Sequence, residues 1–122
     1  MRRICTGHLT RESCKHYPAL CLLLAALPYG LLAAPLPSYE LNIRDGHFSP
    51  ASLQVDAGQR FKIIVNNVGN GPIEFESTPL RVEKVLSPGV SSFVVIHPLK
   101  PGRYLFFDEF HPELPQGVIE AR

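Results

Sequence analysis

Residues able to hold a metal ion gather in three short patches of this sequence. Glu74 and Glu76 flank Phe75. At a strand's period of two, both carboxylates project to one face while Ile73 and Phe75 take the other. Two like charges on one face repel each other and gain from a cation between them. The structural alternative is an edge strand whose acids face water and discourage aggregation. Glu83 beside Lys84 is the second patch, a ligand or equally half of an ion pair with a neighbouring strand. The third is Asp108-Glu109-Phe110-His111-Pro112-Glu113, where Asp108, Glu109 and Glu113 offer oxygens and His111 an imidazole. Glu109 and His111 share a face if the backbone stays extended there. Solvated loop acids and a surface histidine are the plain alternative. His47 and His97 read as hydrogen-bonded surface histidines. No nucleophile stands beside a base, so a Ser-His-Asp hydrolase is not supported. There is no phosphate-cradling glycine loop and no sign of a small-molecule substrate.

The elements that must position these residues read as strands. Pro98-Leu99-Lys100-Pro101-Gly102 is a corner, and Arg103 to Phe107 is an aromatic run suited to a strand on a core. The acidic loop follows it, and a last strand spans Gly117 to Ala121. Upstream, Tyr39, Leu41 and Ile43 alternate with polar neighbours, as do Phe61, Ile63 and Val65. Asp45 to Pro50 reads as a loop and Ser52 to Val55 as a short strand. Asn67 to Pro72 is turn-rich; Ile73 to Glu76, Val82 to Leu86 and Val90 to Ile96 are further strands. No sustained helical period occurs, and 12 prolines argue against long helices. About seven short strands punctuated by Gly and Pro predict an all-β, two-sheet Greek-key sandwich.

A chain of 122 residues accommodates one domain. A formal net charge of +1 points neither to nucleic acid nor to an anionic membrane surface. The first third differs from the rest. Arg2, Arg3, Arg11 and Lys15 precede an apolar run from Ala19 to Leu27, and small residues close it at Ala33-Ala34. That pattern reads as a signal peptide over residues 1–34, with the cut near Ala33 or Ala34, ahead of a domain over residues 35–122. The apolar run is short and interrupted for a membrane span. Cys5, Cys14 and Cys21 all lie in this leader, so the exported domain would form no disulfide and its core alone would hold it.

Three ordered motifs resemble a known family: F-S-P-A-S-L-Q-V-D-A-G-Q-R-F from Phe48 to Phe61, N-N-V-G from Asn66 to Gly69, and G-R-Y-L-F-F from Gly102 to Phe107. Over residues 38 to 121 the chain is similar to the cupredoxin domain. Within it, the E-F-E strand at Glu74-Phe75-Glu76 and the Glu83 ahead of Pro88-Gly89 resemble the periplasmic EfeO-type branch. The F-F-D-E-F-H wording is similar to FtrB-like subunits that accompany iron permeases. The resemblance implies a Greek-key sandwich and a periplasmic metal-binding protein supporting ferrous iron uptake. Its implied partners are an inner-membrane iron permease and a periplasmic iron-binding protein. Glu74, Glu76, Glu83, Asp108, Glu109 and His111 are the expected ligands, and iron or copper the expected ion. In electron-transfer members the position of Asp108 is a cysteine, and Gln116 falls at the axial position. Without a thiolate, a blue-copper carrier is excluded. A ferroxidase or copper-dependent redox component and a metal-free interaction module are the alternatives. Whether the protein is an enzyme stays open, with an accessory role favoured.

Overall fold

Alternation of apolar and polar residues builds two sheets around one core. A computed structural model describes Gly30 and residues 33–122. Apart from Gly30, residues 1–32, which hold the three cysteines and nearly all of the expected signal peptide, lie outside the described residues. The described residues form nine strands: β1 (Ser38–Arg44), β2 (His47–Ser49), β3 (Ser52–Val55), β4 (Phe61–Asn67), β5 (Ile73–Ser77), β6 (Val82–Leu86), β7 (Ser91–Ile96), β8 (Gly102–Asp108) and β9 (Gly117–Ala121). One sheet runs β2-β1-β4-β7 and the other β3-β9-β8-β5-β6. β1 pairs with β4, and β3 with β9, in parallel; the other pairings are antiparallel. A single 3-10 turn, Thr78–Leu80, links β5 to β6. The expected all-β cupredoxin-like sandwich is what the chain forms, with more strands than the seven expected.

Part of the excess comes from the segment read as a loop. Asp45 and Gly46 both have positive φ, 49° and 82°, the backbone of a two-residue Asp-Gly hairpin. They fold His47–Ser49 back onto β1. Pro50, which has no N–H to give a ladder, then separates β2 from β3, and the chain passes from one sheet to the other.

The core lies between the sheets. Phe61, Ile63 and Val65 of β4 face Phe75 of β5, Phe106 of β8 and Ile119 of β9, all essentially solvent-free. Each such side chain contributes about 1.5–3 kcal/mol by burial. Phe106 touches Phe48 edge-on at 4.9 Å and Phe75 at 5.4 Å between ring centroids. Asn67 is buried where β4 ends. Its Nδ2 donates to the carbonyls of Gly71 (2.9 Å) and Leu86 (3.1 Å), and its Oδ1 accepts the N–H of Gly69 at 3.0 Å. The N-N-V-G motif is thus a turn tied across the sandwich by one amide. At the other end the Tyr104 hydroxyl donates to the Lys100 carbonyl at 2.9 Å, pinning the Pro-rich corner.

Candidate functional site

β8 carries Asp108 to the buried end of the five-stranded sheet. Its alternation turns Phe106 and Asp108 inward, and Asp108 stands opposite Phe75 in the ladder. A carboxylate in such a place needs partners. Its Oδ1 accepts the N–H of Glu74 at 2.8 Å and of Phe110 at 3.1 Å. Its Oδ2 lies 2.7 Å from Nδ1 of His111. The Asp108 side chain is fully buried and that of His111 is 29% exposed. The bond to Phe110, two residues on, is an Asx-turn. Together with the His111 N–H donating to the Asp108 carbonyl at 2.9 Å, it ends the strand and folds the chain back. Ionised carboxylate oxygens only accept, so Nδ1 is the donor, and in the neutral ring Nε2 is the nitrogen with the free lone pair.

The β1–β2 hairpin closes on this histidine from the other side. A Cβ on Gly46 would lie 2.6 Å from Cβ of His111 and 2.5 Å from Cδ1 of Leu114. The residue must therefore be glycine both for its φ and for this close approach.

The carboxylates of the E-F-E strand take the outer face. Ile73, Phe75 and Ser77 are buried, which leaves Glu74 and Glu76 half-exposed on the outside. Glu76 faces Glu83 of β6 directly, and Glu74 faces Val85. Glu109 continues the outer face beyond β8, its N–H donating to the Glu74 carbonyl at 3.0 Å. Loss of solvent around Glu74, then repulsion from Glu83, Glu76, Glu109 and Asp108 in that order, raises its pKa above the ordinary glutamate value. Glu74 is the hinge of the arrangement: its backbone holds Asp108 and its side chain meets the acids.

The expected ligands thus fall into two groups, the outer carboxylates Glu74, Glu76, Glu83 and Glu109 and the inward pair Asp108–His111. Glu109 and His111 do not share a strand face, because the Asx-turn intervenes between them. Glu113 and Gln116 are exposed, and so are His47 and His97. The ion pairs among the described residues join Arg103 and Arg122 to Glu120 and His111 to Asp108, so Glu83 and Lys84 belong to none. Among the described residues, no three His, Cys, Asp or Glu side chains are gathered as ligands of a single ion. The donor types still suit a carboxylate- and imidazole-bound transition ion, with Nε2 of His111 unengaged and four acids around Glu74. They do not suit a copper–thiolate centre, since residues 33–122 contain no cysteine. Two features escaped the sequence reading. Asp108, one of the expected ligands, also ties two backbone N–H groups to the His111 ring, and the Asp-x-x-His spacing after a strand was the available signal for that role. Gly46 was read only as part of a loop, although Asp-Gly marks a hairpin.

A family profile for the cupredoxin-like domain matches residues 18–121. The chain belongs to the cupredoxin-like domain family. A curated relative, Uncharacterized protein RP394 of Rickettsia prowazekii (strain Madrid E), is 35% identical over 80 residues, 66% of this chain. The match spans 64% of that relative's length. Among solved structures, this cupredoxin-like chain superposes on auracyanin B with a TM-score of 0.62 at 13% identity, covering 73% of this chain and 91% of that one. The metal-binding domain of the Cu(I)-exporting P-type ATPase CopA of Streptococcus pneumoniae D39 gives 0.59 at 15% identity, covering 70% and 84%. A purple cupredoxin from Nitrosopumilus maritimus gives 0.53 at 17% identity, covering 69% and 99%. At these identities the structural likeness establishes the fold.

Proposed function

We propose that this cupredoxin-like protein is exported to the periplasm and binds a transition-metal ion, iron or copper. In this reading it supports ferrous iron uptake by an inner-membrane permease, together with a periplasmic iron-binding partner. The observation that carries the reading is the crowding of Glu83, Glu76, Glu109 and Asp108 around Glu74, whose pKa is raised first by loss of solvent and then by these charges. Charges that repel one another gain from a cation among them. His111 supports the same reading, held by Asp108 through Nδ1 with Nε2 left free, the way a carboxylate orients a metal-ligating imidazole. Glu74, Glu76, Glu83 and Glu109 would hold the ion on the outer face, and Nε2 of His111 would add an imidazole from the loop that follows Glu109. Asp108 acts through His111 as a positioning residue. The names of the structural relatives, a purple cupredoxin and a Cu(I) exporter's domain, agree with a transition ion. The E-F-E strand and the F-F-D-E-F-H loop, which resemble iron-permease subunits, point to iron.

A metal-free interaction module is the second reading. It is favoured by the saturation of Asp108, whose three hydrogen bonds hold without an ion.

Anaerobic titration with Fe(II) and with Cu(II), followed by thermal melting, tests the proposal. Metal at about 100 times its dissociation constant stabilises the fold by roughly 2.7 kcal/mol. The readout is the shift on adding metal. The metal-free melting temperature is no guide for His111→Ala, which strips Asp108 Oδ2 of its partner. His111→Ala and Glu76→Gln should each lose much of the shift. Equal shifts in both variants and wild type would replace this site, and no shift in any of them would leave the interaction module. Iron oxidation during the titration would identify a redox enzyme.

A further inference from the structure

The four sheet edges are not treated alike. β2 is three residues long and β3 four. β6 carries Glu83 outward, and Lys84, opposite Phe75 in the ladder, points inward from the edge. Short strands and inward-pointing charges are the usual means of blocking edge pairing. β7 has none of these. Its six residues, Ser-Ser-Phe-Val-Val-Ile, include no charge and no proline. Phe93 is 56% exposed.

The free backbone groups of β7 follow from the ladder beside it. The N–H of Asn67 donates to the Val90 carbonyl at 3.0 Å, so Val90, Ser92, Val94 and Ile96 turn their hydrogen-bonding groups toward β4. By alternation, Ser91, Phe93 and Val95 turn theirs outward. None of these three is engaged in a hydrogen bond outside the β4 ladder among the described residues.

We propose that β7 pairs antiparallel with β7 of a second copy of this chain about a two-fold axis at Phe93. This register sets Phe93 against Phe93 and Ser91 against Val95, and it uses every outward group on both strands. The side chains on the outer face then fall into rows across the axis. Ile64 stands beside Phe93 and Glu40 beside Ile64 within one copy. The central row is therefore apolar at its middle, Ile64-Phe93-Phe93-Ile64, with Glu40 at each far end. The next row places Lys62 and Val95 of one copy beside Ser91 and Asn66 of the other. No like charges meet at the seam. An apolar centre with a charged rim is the usual composition of a protein interface. The inference does not depend on the metal reading.

Sedimentation of protein purified from cells expressing the full chain, over a micromolar concentration series, tests it. Wild type should run as a dimer. Phe93→Lys brings two ammonium groups together at the axis. Val95→Pro removes an outward N–H without touching the β4 ladder. Both variants should halve the mass while keeping the wild-type circular dichroism. Leu105→Lys, similarly exposed on the other sheet, should stay dimeric. A monomeric wild type, or dimers that persist in both β7 variants, would overturn the proposal.

Discussion

Asp108 is buried at the inner end of β8, and its environment explains what a carboxylate does there. Three donors converge on it, two of them backbone N–H groups and one the ring of His111. Asp108→Ala leaves all three without their partner, and a loss on the order of 2–4 kcal/mol in unfolding free energy is expected from denaturant melts. Asp108→Asn is the sharper substitution. The amide keeps an oxygen for the backbone donors but presents an NH2 to Nδ1 of His111. The imidazole must then accept at Nδ1 and carry its proton on Nε2. Nitrogen chemical shifts of the ring should report this exchange of tautomers, with a smaller loss of stability than in the alanine variant. An unchanged tautomer would mean that Asp108 does not orient the ring. This role was not legible from the chain alone. The residue types announced a donor cluster, but that Asp108 would take the N–H of Glu74 depended on a register with β5, more than thirty residues upstream.

At the scale of elements, the outer face of β5, β6 and the end of β8 works as one charged surface. Glu74 titrates above the ordinary glutamate value because burial and its acidic neighbours disfavour its ionised form. In the window between the ordinary value and the raised one, the folded chain binds more protons than the unfolded chain. The contribution of Glu74 to stability is therefore full at low pH and is lost as pH rises through the raised value. Glu74→Gln should raise the metal-free melting temperature at neutral pH and flatten its dependence on pH across that window. A pH series of thermal melts on both proteins checks the slope, and identical slopes would remove the electrostatic account of this face. The strands themselves were readable, since Phe61-Ile63-Val65 and Ile73-Phe75 alternate without interruption. β2 was not, because three residues between Asp-Gly and Pro50 are too few for a period to show. The register of Glu76 against Glu83 was also beyond reach, since it is set by the length of the 3-10 turn between two strands.

At the scale of the whole molecule, one sandwich without sulfur from residue 33 onward holds every candidate ligand. Loaded with Cu(II), a purified domain of residues 33–122 should show none of the intense visible absorption of a copper–thiolate bond. An absorption spectrum decides this, and a strong band would require a cysteine that residues 33–122 do not supply. The contact of Gly46 with His111 carries a further consequence for how such a molecule comes into being. The two residues belong to the first hairpin and to the last loop, and β3 has no neighbour in its sheet until β9 arrives. A chain made from its amino end therefore brings the hairpin against His111 only after the loop beyond β8 has been synthesised. Until then the hairpin lacks the side chains that pack over Gly46, and β3 lacks its sheet neighbour until Gly117–Ala121 follows.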